Sequence, residues 1–398
     1  MNIELVIMNF IPEIVGGSIR AYHMCKYLSR FGHSVSVITM NKKGSWLVDD
    51  KNFPQPENCK VYRNAGMHIP FLPPASGYVP LLYRSAVKAV RADKIQVIQG
   101  ASPPIGGAIA AYLAAKKTGK PFIFEAKDPW IRARKADSRS YGGAHMHSGQ
   151  WLGKLYAKIE EKICYFADKI IVTNPAIKNE LIQLHPELEE ENFEVIYNAA
   201  DLDDFDGPAE KFDKYTIFYS GVLYGSRAVG KLIEAARYID DDMQIVIAGM
   251  GPKAEVAAFK KLISQQAGKV KFLGLLPPER IYQLSLGADL LFAGVDTSET
   301  RKFNLPLKVF NYMAAGRPIL ATGSEGGDLD LFLKNNKCGS MLYSTEPKDI
   351  ADAIIRLRNN KKLTNTLGRN GRKAVEKEFN TETQTRKLEK VYEMVLKK

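Results

Sequence analysis

The chain of 398 residues is long for one hydrophobic core and long enough for two domains of roughly 150 to 200 residues each. Its 45% hydrophobic and 25% charged residues are the proportions of a soluble globular protein, and no apolar run reaches the length of a transmembrane helix. The four cysteines are isolated in the sequence, which disfavours a disulfide framework and a zinc site and indicates a reducing cytoplasm.

Strands and helices are predicted to alternate from the start of the chain. Residues 3–8 form a first strand and not a signal peptide, Gly16 and Gly17 then break the chain, and a helix at 18–31 leads to a strand at 33–39. Further strands are predicted at 95–99, 121–125, 168–173 and 193–198. This order of strand, glycine-rich turn, helix and strand is that of a Rossmann-like half.

The net charge of +12 is concentrated in 60–135, which carries 13 basic and 3 acidic residues. Apolar and proline-rich segments interrupt this stretch, and such a mixture fits a surface that rests on anionic lipid, where each nearby cation adds about 1 kcal/mol. An ordinary solvated helix face remains the alternative. We predict no nucleic-acid partner, because no recognisable reading motif accompanies the charge.

An acidic stretch that ends in Gly207-Pro208 has no apolar periodicity and is interpreted as a linker between domains. A second alternating set of strands follows, predicted at 215–221, 243–249, 270–274, 290–294, 318–322 and 340–343. We therefore predict an N-terminal Rossmann-like domain at 1–198, a linker at 199–212, a C-terminal Rossmann-like domain at 213–380 and a final helix at 381–398. Asp240-Asp-Asp242 precedes one of these strands instead of ending it, so it predicts a solvated turn, and no metal site is expected.

The strongest chemical signal is Asn304-Leu-Pro-Leu-Lys-Val-Phe-Asn-Tyr-Met-Ala-Ala-Gly-Arg-Pro-Ile-Leu-Ala-Thr322. Apolar residues at helical spacing, Pro306 in the first turn and Gly316 at the end predict a helix over 305–315. Lys308 would add its ammonium to the free N–H groups at the helix start, an arrangement that receives a diphosphate. A surface lysine on an ordinary helix is the alternative that this stretch alone leaves open.

These residues resemble the nucleotide-sugar site of the family 4 retaining glycosyltransferases, in particular bacterial members that build capsules, O-antigens and other polysaccharides. The matching positions are Pro306, Lys308, Phe310, Tyr312, Met313, Ala314, Ala315, Gly316 and Pro318. The resemblance implies the GT-B architecture, in which two Rossmann-like domains face each other across a cleft and the final helix crosses back to the first domain. Asn311 stands where the family usually has a ribose-binding Glu, so it keeps one acceptor oxygen and loses the charge.

The resemblance implies roles for further residues. Lys308 and Arg227 would hold the donor's diphosphate by electrostatic stabilisation, which needs no metal and no cofactor. Asp128, in a segment similar to the subgroup's Arg-Asp-x-Trp with Lys127 for Arg, would contact the acceptor or cap a turn. The expected donor contacts are Gly16, Gly17, Gly221, Gly249, Gly251, Leu273, Gly274, Leu305, Pro306, Leu307 and Asn311. As a dinucleotide fingerprint, Gly249-Met-Gly251 lacks the acidic ribose clamp, which disfavours a dehydrogenase.

The implied activity is retaining transfer of a hexosyl or N-acetylhexosaminyl unit, from UDP in preference to GDP, to a glycan or polyprenyl-diphosphate-linked acceptor. It would belong to bacterial surface polysaccharide synthesis, in the cytoplasm or peripherally at the inner face of the plasma membrane. Phe303, Asn311 and Val222 depart from the family pattern at nucleotide-contacting positions, which leaves open a catalytically weak partner subunit. A nucleotide-sugar epimerase also stays open, although no clear set of acid–base carboxylates and histidines is visible.

Overall fold

The computed structural model describes residues 1–41, 53–65, 78–128, 150–223, 228–295, 302–303 and 305–397. Arg227, Asn304 and part of the basic stretch at 60–135 lie outside the described residues. The chain divides into two compact units, each of which is described by itself. The first comprises Met1–Tyr197 and Glu382–Lys398, and the second comprises Asn198–Thr381.

The first unit is built on a parallel sheet with seven strands in the described part of the chain. Its elements in chain order are β1 (Asn2–Val6), α1 (Gly16–Arg30), β2 (Ser34–Met40), β3 (Cys59–Asn64), α2 (Val79–Ala92), β4 (Val97–Ser102), α3 (Ile105–Thr118), β5 (Phe122–Ala126), α4 (Gln150–Phe166), β6 (Lys169–Val172), α5 (Pro175–Leu184) and β7 (Phe193–Val195). The strands lie in the order β3-β2-β1-β4-β5-β6-β7, so the direction of winding reverses between β1 and β4. Ligands of such sheets bind outside the carboxyl ends of the strands at this reversal.

The second unit repeats the arrangement with six strands in the order β10-β9-β8-β11-β12-β13. Its elements are β8 (Tyr215–Ser220), α6 (Val229–Ala235), β9 (Met243–Ala248), α7 (Lys253–Ser264), β10 (Val270–Phe272), α8 (Pro278–Gly287), β11 (Leu290–Gly294), α9 (Leu307–Ala314), β12 (Ile319–Thr322), α10 (Asp328–Asn336), β13 (Gly339–Leu342), α11 (Pro347–Arg358) and α12 (Lys361–Ala374). The reversal here lies between β8 and β11. Two Rossmann-like parallel sheets are thus confirmed.

The last helix, α13 (Thr381–Leu396), belongs to the core of the first unit. Its apolar face packs in the same buried cluster as the central strands β1, β2 and β4, and consists of Leu388, Val391, Tyr392 and Val395. The Tyr392 hydroxyl donates to Gln99 Oε1 at 2.5 Å, and the Tyr197 N–H donates to Gln384 Oε1 at 2.9 Å. The prediction that the final helix returns to the first domain is therefore confirmed.

The acidic turn before β9 forms ion pairs with basic side chains of its own unit. Arg358 Nη1 lies 2.9 Å from Asp240 Oδ2, and the same guanidinium also pairs with Asp242. Lys269 Nζ lies 2.9 Å from Asp241 Oδ1. The three carboxylates thus face basic partners on the protein surface.

Among the described residues, no helix combines the length and the apolar composition that crossing a membrane requires.

Candidate functional site

Helix α9 carries Lys308 and Asn311 in the second unit. Pro306 precedes the helix in an extended conformation, with φ −66° and ψ 143°, so helical geometry begins at Leu307 and not at residue 305 as predicted. The chain leaves the helix at Gly316, whose φ of +66° lies in the left-handed region that glycine adopts without strain. The apolar face of α9, Val309, Phe310, Tyr312, Met313 and Ala314, is buried.

Lys308 extends from the first turn of α9 to the turn that follows β8. Its Nζ atom is buried and lies 3.7 Å from the centre of the Tyr219 ring, a distance at which the ring face attracts the ammonium. The Tyr219 hydroxyl donates to Val222 O at 3.0 Å, which fixes the ring. A Cβ atom on Gly221 would lie only 2.8 Å from Lys308 Nζ. The lysine charge is therefore held at a turn where only glycine leaves room for it.

Three glycine turns meet beside this charge. Gly221, Gly249 and Gly274 follow β8, β9 and β10 and have φ values of +139°, +146° and +69°. The Gly249 N–H donates to Gly274 O at 2.7 Å, and a Cβ atom on Gly249 would lie 1.9 Å from Gly221 O. The three turns thus expose main chain without side chains at the carboxyl ends of neighbouring strands, where Rossmann-like sheets bind ligands.

Helix α9 is tied to β8 by a buried hydrogen bond. The Ser220 N–H donates to the Tyr312 hydroxyl oxygen at 3.0 Å. Burial raises the pKa of Tyr312 to about 12, so the phenol stays neutral at physiological pH. This bond ties the helix that carries Lys308 to the end of β8.

Most predicted donor residues of the second unit gather here. Gly251 belongs to the same turns, since a Cβ atom on it would lie 2.4 Å from Leu223 O. Leu305 is buried, and its carbonyl accepts from Asn198 Nδ2 at 3.5 Å. Leu273 follows β10 and is 40% exposed.

The predicted donor residues on and before α9 are partly accessible. Asn311 lies one turn after Lys308 and is half-buried, as are Pro306 and Leu307. Arg227 lies outside the described residues, so its predicted role stays a prediction.

The remaining predicted residues share the carboxyl edge of the first sheet. Gly16 and Gly17 begin α1, and Asp128 follows β5 and is half-buried. Lys127 links the two positions, because its Nζ atom would lie 2.8 Å from a Cβ atom on Gly17. The Lys127 N–H donates to Ser102 O at 2.8 Å, so this segment also contacts the end of β4.

A buried ion pair supports this edge. Arg20 Nε lies 2.8 Å from Glu125 Oε1, and Gln99 Nε2 donates to Glu125 Oε2 at 3.1 Å. Burial alone would raise the pKa of Glu125, but the charges of Arg20 and Lys127 lower it below its ordinary value. Desolvation lowers the pKa of Lys127, and the charge of Glu125 works in the opposite direction. Glu125 is therefore a permanent anion that holds two cations at the edge of the sheet.

The sequence alone indicates no separate role for Lys127, Tyr219 or Tyr312. Tyr219 and Tyr312 fit the apolar pattern of a strand and a helix, and their polar contacts depend on residues far away in the chain. One local signal was available, because Tyr219 and Lys127 both stand at the carboxyl end of a predicted strand.

Two family models match consecutive parts of the chain. The model described as Glycosyltransferase Family 4 matches residues 14–204, and the model described as Glycosyl transferases group 1 matches residues 203–374. Together they cover residues 14–374 and leave out residues 1–13 and 375–398.

Two curated relatives illustrate the similarity. YtcC of Bacillus subtilis (strain 168), which carries the name of a glycosyltransferase, is 28% identical over 272 residues, or 60% of this chain and 65% of that protein. The phosphatidylinositol N-acetylglucosaminyltransferase GPI3 subunit of Saccharomyces cerevisiae is 24% identical over 310 residues, or 73% of this chain and 62% of that protein. The chain thus spans less than two thirds of the length of both relatives.

A solved structure shares the fold of the whole chain. Anabaena Alr3699/HepE in complex with UDP-glucose superposes with a TM-score of 0.72 at 16% identity, over 99% of this chain and 100% of that chain. At this level of identity the likeness shows the fold alone.

Proposed function

We propose that this chain, which belongs to the family 4 glycosyltransferases with the GT-B fold, transfers a sugar from a nucleotide sugar. Its second unit is proposed to bind the donor. The observation that carries this proposal is the ammonium of Lys308, held on the Tyr219 ring against the glycine turn at Gly221. A buried cation beside glycine turns without side chains and at the N-terminus of α9 fits a diphosphate in charge. Support for UDP comes from the complex of Anabaena HepE with UDP-glucose.

In the proposed reaction the nucleoside diphosphate departs, and negative charge grows on its phosphate oxygens. Lys308 and the positive end of the α9 dipole stabilise this charge better than that of the bound donor, which lowers the barrier. Arg227 is proposed as the second cation, and no metal is required. The acceptor hydroxyl attacks from the face that the leaving group vacates, so configuration is retained, and a phosphate oxygen takes the proton.

The acceptor side is proposed for the first unit, with Asp128 close to the acceptor hydroxyl. We propose a glycan or polyprenyl-diphosphate-linked acceptor in bacterial surface polysaccharide synthesis, reached at the inner face of the plasma membrane. Helix α2 supports contact with anionic lipid, since its basic side chains Arg84, Lys88 and Arg91 are exposed on one face. The GPI3 relative is named a phosphatidylinositol N-acetylglucosaminyltransferase subunit, which supports the proposal of a lipid-linked acceptor.

Calorimetric titration with UDP, GDP, ADP and NAD tests the proposal. We expect UDP to bind and both Lys308→Ala and Arg227→Ala to abolish the heat signal, because each removes a charge from the diphosphate site. If none of the four nucleotides binds to folded wild-type protein, the catalytically weak partner subunit replaces the enzyme. If a UDP-sugar is converted without any acceptor, the epimerase replaces the transferase.

The substitution Asn311→Glu restores the carboxylate that the family usually has at this position. We expect it to tighten UDP binding by roughly fivefold, because a charged acceptor bonds ribose hydroxyls about 1 kcal/mol more strongly than a neutral amide oxygen. The measurement is calorimetry with UDP and with 2′,3′-dideoxy-UDP, which lacks those hydroxyls. An equal gain for both nucleotides would rule out the ribose contact.

A further inference from the structure

Both units place a lysine ammonium against the glycine turn that follows the first strand of their sheet. Lys308 Nζ would lie 2.8 Å from a Cβ atom on Gly221, and Lys127 Nζ would lie 2.8 Å from a Cβ atom on Gly17. Gly221 follows β8 and Gly17 follows β1, which are the strands at the reversal of winding in their sheets. The proposed function uses the first of these lysines and gives no task to the second.

The backbone of Lys127 is fixed on two sides. Its N–H donates to Ser102 O at 2.8 Å, and its carbonyl accepts from Thr173 Oγ1 at 3.0 Å. The side chain is half-buried and extends to Gly17. The ammonium therefore has a defined position at the carboxyl edge of the first sheet.

The nearest buried carboxylate does not neutralise Lys127 by itself. Glu125 Oε1 pairs with Arg20 Nε at 2.8 Å, and Glu125 Oε2 accepts from Gln99 Nε2 at 3.1 Å. Within the described residues, no oxygen lies at hydrogen-bonding distance from Lys127 Nζ. Glu125 thus faces two cations, and Asp128 adds a second negative charge near Lys127. The ammonium of Lys127 keeps its hydrogen-bonding capacity at a place where desolvation disfavours an isolated charge.

The surroundings of Lys127 suit an anionic ligand. Gly16 and Gly17 form the first turn of α1, a helix of 15 residues without an acidic side chain in that turn. The N–H groups of a first helical turn have no partner within the helix and attract anions. An ammonium and such N–H groups on one side of a glycine turn favour the tetrahedral oxygens of a phosphate.

We propose that Lys127 binds a phosphate group of the acceptor and so selects acceptors that carry a phosphate or diphosphate near the reacting sugar. This inference rests on the proposed function. The resemblance assigns Gly16 and Gly17 to the donor, and this proposal assigns their turn to the acceptor instead. The reason is that the neighbouring residue Asp128 is proposed to contact the acceptor hydroxyl, while the donor already has Lys308 in the second unit.

The test is calorimetric titration of farnesyl diphosphate into the full chain saturated with UDP, so that the donor site is blocked. We expect Lys127→Met to weaken farnesyl diphosphate binding by at least about tenfold, the usual cost of a lost hydrogen bond to a charged group. UDP titrated alone should bind this variant as it binds the wild type. Lys127→Arg, which keeps the charge, should retain most of the affinity for farnesyl diphosphate.

Lys117→Met serves as the matched control, because Lys117 is an exposed lysine on α3 of the same unit. Unchanged farnesyl diphosphate binding in Lys127→Met would overturn the proposal. A loss of UDP affinity in Lys127→Met, with farnesyl diphosphate binding retained, would assign the lysine to the donor's phosphates and would also overturn it. Failure of the wild type to bind UDP would instead refute the proposed function, so the two failures are distinguishable.

Discussion

The Lys308→Met variant should transfer sugar with a kcat about a thousandfold below that of the wild type. Methionine keeps an apolar side chain on the Tyr219 ring and removes only the charge, which lies 3.7 Å from the ring centre. Removing one preorganised group that stabilises charge in a transition state typically costs about 10²–10³ in kcat. The measurement is the initial rate of UDP release from a UDP-sugar at saturating donor and acceptor.

Lys348→Met is the control for this experiment. Lys348 also follows a proline at a helix start in the second unit, but its side chain is 59% exposed and pairs with Asp352. We expect its kcat to equal that of the wild type. If Lys308→Met keeps its kcat and only its KM for the donor rises, the lysine binds donor and transition state equally well and the proposed catalytic role is wrong.

Glu160 should make the first unit lose stability as the pH rises from about 5 to 8. Its side chain on α4 is 1% exposed, and neither carboxyl oxygen has a hydrogen-bond partner in the described part of the chain. Burial raises the pKa of Glu160 to about 8. At pH 7 the carboxyl group is therefore neutral in the folded protein and ionised in the unfolded chain.

The sign of the effect follows from this difference in protonation. The stabilising contribution of the protonated form is complete below the unfolded pKa near 4.5 and is lost as the pH rises towards the folded pKa near 8. Over this window the free energy of unfolding falls by about 1.4 kcal/mol per pH unit. Glu160→Gln cannot ionise, so its stability relative to the wild type should increase by the same amount per unit.

Hydrogen-exchange mass spectrometry in urea, evaluated on peptides of the first unit at pH 5, 6, 7 and 8, measures this dependence. The buried amide that Glu160→Gln introduces shifts the whole curve by a constant amount, so the slope is the quantity to compare. Glu161→Gln is the matched control, because Glu161 is the next residue on α4 and is exposed. Parallel curves for the wild type and Glu160→Gln would show that Glu160 ionises normally in the folded protein.

The architecture and the main basic residue of the candidate site were predictable because their signals are local. The alternation of strands and helices, Pro306 before α9 and Gly316 after it are patterns within a few residues. Contacts between distant segments were not predictable. Cys25 and Cys59 are isolated in the sequence, yet the fold brings their thiols into hydrogen-bonding contact, which raises the pKa of Cys25.

The same limit applies to the charges of the first unit. Lys127 and Gly17 are separated by most of the first domain, and their contact depends on β1 and β5 lying on either side of β4 in the sheet. Nothing in the local pattern around either residue indicates the other. By contrast, the motif around Lys308 consists of neighbouring residues, so the sequence alone predicts a basic residue at the start of α9. Its contacts with Gly221 and Tyr219 depend on the fold.

The return of α13 to the first unit has a consequence for biosynthesis. Domains generally fold as the chain emerges from the ribosome, with the N-terminal domain first. Here residues 1–197 emerge first, but the apolar surface of their core remains uncovered until Leu388, Val391, Tyr392 and Val395 have been synthesised. The second unit, Asn198–Thr381, is contiguous and can complete its core earlier. The first unit is therefore the later of the two to complete its core, and a fragment that ends before Glu382 exposes a hydrophobic face prone to aggregation.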